Sequence, residues 1–169
     1  MDIDSYVKLK SKGYDVQHKR LKKELAILNW VIEKKTGNVN KYRKKIENVK
    51  RIADYLKPFE IIDDNVVFRM VFENKYNLEI NVKFPKDYPF KPPKITINGV
   101  NYIKFLGNAS KHNGKCLCCI SLTCPDVWSA WSDMIDMLFE IHTNLSNLYK
   151  PINDDFHKSI LNKYLGYQI

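Results

Sequence analysis

Four of the chain's seven prolines fall in one string of twelve residues, Phe84-Pro85-Lys86-Asp87-Tyr88-Pro89-Phe90-Lys91-Pro92-Pro93-Lys94-Ile95. Each proline fixes φ and pushes the residue before it out of the helical region, so the string is extended and stiff. Tyr88 and Phe90 supply aromatic faces on which the prolines can pack. By local chemistry alone this is a rigid crossing between two strands.

The residues on either side fit that reading. Val66 to Phe72 is rich in β-branched and aromatic side chains. From Tyr76 to Phe84, Leu78, Ile80, Val82 and Phe84 alternate with polar residues. Glu73-Asn74-Lys75 is short enough for the hairpin loop between them. Beyond the prolines, Lys94 to Ile97 is a further strand closed by Asn98-Gly99, and Glu60-Ile61-Ile62 is a short first one before an Asp63-Asp64-Asn65 turn. With no helix separating them, these four strands form an antiparallel meander.

Helical spacing brackets the strands. Leu21, Leu25, Leu28 and Ile32 mark a helix over His18 to Lys34, stopped at Thr36-Gly37-Asn38. Ile46, Val49, Ile52, Ala53 and Leu56 mark a second over about 39–56, ended by Pro58. Ile135, Leu138, Ile141, Leu145 and Leu148 mark a third over Trp131 to Leu148, and Phe156 to Leu165 suits a short last one. Val100 to Val127 shows little periodicity and reads as a long irregular segment of the kind that carries function. The layout is α+β. Residues 1–17 read as a loosely ordered, variable tail, and 18–169 as one core with an extra helical segment around 36–56.

Composition narrows the function classes. At 169 residues, 44% hydrophobic and 28% charged, the chain suits one folded domain. No window approaches the roughly 18 unbroken apolar residues of a membrane span. Met1-Asp2-Ile3-Asp4 is acidic and lacks a signal-peptide core, which points to an intracellular, cytoplasmic or nuclear setting. The net charge of +9 lies largely between Lys8 and Arg51, with no nucleic-acid motif beside it. It reads as a solvated helical face or a surface for an acidic protein partner rather than a nucleic-acid site. Cys116, Cys118, Cys119 and Cys124 crowd into nine positions, too close together to staple distant segments as disulfides. Thiol chemistry or metal binding is the better class of explanation.

The proline string closely resembles the strand-and-turn signature of ubiquitin-conjugating enzymes, a likeness that covers roughly residues 59–156. Active members carry a His-Pro-Asn tripeptide and, eight residues after its Asn, a Cys-aliphatic pair. Here Phe105-Leu106-Gly107-Asn108 stands where they have aromatic-His-Pro-Asn; Cys116-Leu117 follows eight residues after Asn108, and Trp128-Ser129-Ala130 resembles their tryptophan string with the proline lost. The resemblance implies a transferase that accepts ubiquitin, or a related modifier, as a thioester on Cys116 and passes it to a substrate lysine or a ligase. Asn108 would polarise the carbonyl, and an exposed thiolate loop suits the nucleophile.

Other registers stay open. Cys119-Ile120-Ser121-Leu122 also reads Cys-aliphatic-x-aliphatic, though Lys111 then falls at the Asn position, and Cys118 is a third candidate. Asp154 or Asp155, after Pro151-Ile152-Asn153, would assist the incoming lysine or simply cap a helix. By resemblance, the basic helix near Arg20 meets the activating enzyme, and Phe90 with the Trp128 loop meets a ligase; residues 36–56 could instead be the family's first helix. No cofactor is implied, since ATP is used upstream by the activating enzyme. The four cysteines, with His112, could alternatively hold zinc, but their spacing is cramped for paired knuckles, and one nucleophile among buried bystander thiols is the expected arrangement. The alternative function is a catalytically inactive module of the same fold that binds ubiquitin or a partner noncovalently.

Overall fold

Alternating apolar residues set the register of a five-stranded antiparallel sheet: β1 (Glu60–Ile62), β2 (Asn65–Phe72), β3 (Tyr76–Lys83), β4 (Lys94–Ile97) and β5 (Val100–Asn101), in that spatial order. A computed structural model describes residues 2–11, 15–32, 55–72, 76–113 and 116–149. Phe68 pairs with Ile80 and Ile80 with Ile97, while Val66 pairs with Val82 and Val82 with Ile95, so two buried apolar rows cross three strands on one face. The other face carries charge: Arg69 reaches Glu60 at 3.1 Å and Glu79 at 3.9 Å.

Two tight turns shape the edges. Asp63 and Asp64 have φ of 46° and 68°, and Asn98 and Gly99 have 49° and 80°, so each pair forms the two-residue loop whose twist matches a hairpin. The second turn adds β5, a fifth strand beyond the four expected. Asn-Gly is a hairpin signal as well as a stop, which is how the sequence could have shown it.

Among the described residues four helices cover or flank the sheet: α1 (Ile3–Ser11), α2 (Asp15–Ile32), α3 (Tyr102–Asn113) and α4 (Met134–Tyr149). The opening residues, expected to be loose, are helical in α1. Asp2 caps it by accepting the Ser5 amide at 2.8 Å, Tyr6 and Val7 are fully buried, and Lys10 pairs with Asp64 of the β1–β2 turn at 2.5 Å. Leu21, Leu25 and Leu28 of α2 and Ile135, Leu138, Ile141 and Leu145 of α4 join the sheet's apolar face in one core.

The segment expected to be irregular after Val100 contains α3. Asn101 caps it, its Oδ1 accepting the Lys104 amide at 2.9 Å, and Tyr102, Phe105 and Leu106 lie on its buried stripe. Among the described residues beyond α3, the irregular part runs from Cys116 and includes a 3₁₀ turn, Cys118–Ile120. The expected helix over 39–56, the 73–75 loop, Asp154, Asp155 and the last helix lie outside the described residues, apart from Tyr55 and Leu56. Among the described residues no helix is long and apolar enough to cross a membrane.

Candidate functional site

Glu24, on the inner side of α2, is 3% exposed and gathers two other segments and a neighbour on its own helix around its carboxylate. The Tyr88 hydroxyl, from the proline turn, donates to its two oxygens at 3.0 and 2.7 Å, and the Met134 amide at the start of α4 donates at 3.1 Å. The Arg20 guanidinium, one turn earlier on α2, pairs with it through Nε. Burial, and then the nearby Asp133 charge, push the Glu24 carboxyl above its ordinary value; burial and the Glu24 charge push the Tyr88 phenol well up.

Arg20 uses its remaining donors on backbone. Its two terminal nitrogens reach the carbonyls of Ala130 at 2.9 Å, Ser132 at 2.6 Å and Trp131 at 3.5 Å. The planar fork of arginine suits this multiple grip. The Trp128 indole donates to the Pro89 carbonyl at 2.8 Å, and its ring lies 6.0 Å from that of Tyr88. The Trp128–Ser132 loop is thereby fastened to both α2 and the proline turn.

This scaffold holds apolar side chains out in water. Trp131 is 87% exposed, Phe90 64% and Ile120 69%. Beside Trp131 a groove of about 460 Å³ is lined by Leu122, Ser132, Asp136, Phe139 and Glu140. Glu140 fixes its floor: it accepts the Leu122 amide at 2.7 Å and the Ser121 hydroxyl at 2.8 Å, and the Tyr102 hydroxyl at 3.1 Å.

The cysteines stand at the neighbouring corner, between α3 and α4. Cys116 and Cys119 are exposed and Cys118 and Cys124 half-buried, so the thiols are not the buried bystanders expected. The Sγ of Cys116 lies 3.1 Å from that of Cys118 and 2.9 Å from that of Cys119, with 3.9 Å between the latter two. Hydrogen bonding with the Cys119 and then the Cys118 sulfur lowers Cys116 to about 7, while hydrogen bonding with Cys116 pushes Cys119 up to about 12 and raises Cys118. Cys116 is thus the thiol with thiolate character at neutral pH.

Asn108 is placed otherwise than expected. It lies on α3, not on a loop. Gly107 is the α3 position turned towards the cysteines, since a Cβ there would sit 3.9 Å from the Cys118 sulfur. Asn108 is about 100° further round the helix at 3.6 residues per turn. The side chain of His112 lies outside the described residues.

The RWD domain family model matches residues 10–148. The chain belongs to the RWD domain family. No curated protein and no solved structure gives a significant match. RWD domains share the ubiquitin-conjugating fold, which accounts for the proline string and the meander, but membership is not membership of the conjugating enzymes.

The enzymatic expectation is therefore corrected: RWD domains lack the catalytic cysteine and are non-enzymatic interaction modules. The loss of His and Pro at Leu106-Gly107 has its physical counterpart in α3, because without a proline the segment can wind into a helix. Trp131 was legible only as the opening of a helix. Its three-residue distance from Trp128, in a polar Ser-Ala-Trp-Ser stretch, was the signal for an exposed aromatic.

Proposed function

We propose that this RWD domain is an intracellular, non-enzymatic module that binds a protein of the ubiquitin pathway, with a ubiquitin-conjugating enzyme as the first candidate. RWD domains bind proteins of that pathway, such as conjugating enzymes. The observation that carries the reading is Trp131: an indole 87% exposed on a loop whose carbonyls Arg20 holds in place. Tryptophans of this kind are typical binding anchors, because they bring large apolar area at little cost in conformational freedom. Phe90 extends the apolar edge, and the groove beside Trp131 offers a place for a partner's side chain. The net charge of +9 favours a partner with an acidic surface.

Titration of a panel of conjugating enzymes, and of ubiquitin, against the immobilised domain tests this. Trp131→Ala is expected to weaken the tightest partner at least tenfold, the loss of about 1.4 kcal/mol or more that marks an anchor. Phe90→Ala should weaken it less, and neither should move the melting temperature. Equal affinity in parent and Trp131→Ala would overturn the reading.

A further inference from the structure

The proposed binding role gives the cysteine corner nothing to do, and its geometry is specific. Three sulfurs from residues 116–119 converge so that all lie within 4.8 Å of one another. Two of the three separations, 2.9 and 3.1 Å, are tighter than ordinary contact between sulfurs, and an S–H is only a weak donor to hold them there, whether its acceptor is a thiol or the Cys116 thiolate. A soft cation at the centre removes the conflict by taking all three as thiolates. With Zn–S bonds of about 2.3 Å, tetrahedral geometry sets neighbouring sulfurs about 3.8 Å apart. The Cys118–Cys119 separation of 3.9 Å already matches, and Cys116 needs to swing outward by less than about 1 Å.

We infer that Cys116, Cys118 and Cys119 form a zinc(II) site with three thiolate ligands and a fourth position open to water or to an outside donor. Three all-sulfur ligands select a soft d¹⁰ ion over magnesium or calcium, which need oxygen. The exposure of Cys116 and Cys119 gives the ion a route in and leaves the fourth position facing solvent. Cys124 is outside the trio.

The surroundings hold the ligands in place. Directly after the turn, Ser121 and Thr123 are buried, their hydroxyls 2.8 Å apart, and Glu140 of α4 ties down Ser121 and the Leu122 amide. On the other side the Cys118 sulfur faces α3 near Gly107, and Leu117 and Cys118 pack on the core. Ligation replaces each S–H proton by a bond to the metal, and the protons leave to solvent.

The full chain, reduced and stripped of metal, is titrated with cobalt(II) and then zinc(II). One equivalent of cobalt should give the sulfur-to-cobalt charge-transfer band, and zinc should bleach it. Each of Cys116→Ser, Cys118→Ser and Cys119→Ser should weaken zinc by more than about tenfold, since even outer-shell changes cost that much. Cys124→Ser should keep parental stoichiometry. Circular dichroism melts of the metal-free variants check that folding is kept. A parent without the thiolate band, or a triple serine variant that binds as the parent does, would overturn the site. No partner is present in these titrations, so their outcome is independent of binding at Trp131.

Discussion

At the level of single residues, Glu24 joins α2 to the proline turn, to the start of α4 and, through Arg20, to the Trp131 loop. Glu24→Ala leaves the Arg20 charge, the Tyr88 hydroxyl and the Met134 amide without their acceptor. It should destabilise the domain by about 3 kcal/mol in chemical denaturation. The pH dependence follows from the raised Glu24 value. The folded state holds this proton more tightly than the unfolded chain, whose ordinary value is 4.5. The carboxyl's contribution is therefore complete below that pH and is lost as pH rises through the folded value. Glu24→Gln cannot titrate, so the stability of the parent relative to Glu24→Gln should fall as pH rises above 4.5. A constant difference between pH 4 and 8 would refute the assignment.

At the level of elements, the two-residue hairpin turns make the sharpest prediction. Gly99 has φ of 80° with open space around a would-be Cβ, so Gly99→Ala meets backbone strain and no clash. It should cost about 1–2 kcal/mol, measured as a lowered denaturation midpoint with an unchanged slope. The meander was legible because Leu78, Ile80 and Val82 alternate with polar residues; all three pair with β2, and Ile80 and Val82 carry the buried rows on into β4. α2 and α4 were legible from leucine and isoleucine spacing. α3 was hidden because Gly107-Asn108 reads locally as a turn, whereas burial of Tyr102, Phe105 and Leu106 keeps it helical. α1 was hidden because nine residues show too few apolar positions; its order comes from Asp2, Tyr6, Val7 and the Lys10–Asp64 pair. The site was legible only in part. The cysteines announce themselves by proximity, but the Arg20 grip on Trp131 spans 111 positions and is visible only once the chain is folded.

For the whole molecule, a single α+β scaffold presents a clamped apolar edge with Trp131 and Phe90, and a three-thiol corner at Cys116, Cys118 and Cys119. RWD domains are non-enzymatic interaction modules, and the first surface is the one proposed above for recognition. The resemblance to conjugating enzymes was sound for the fold and misleading for the activity, because fold and chemistry are carried by different residues. The proline string and sheet register persist, while the tripeptide that shapes the catalytic loop has become part of a helix. The most direct measurement is a charging assay. The full chain is incubated with activating enzyme, ATP and ubiquitin beside an active conjugating enzyme, and both are resolved without reductant. The account predicts a thioester on the conjugating enzyme and none on this chain; a reductant-sensitive ubiquitin adduct that disappears in Cys116→Ser would contradict it.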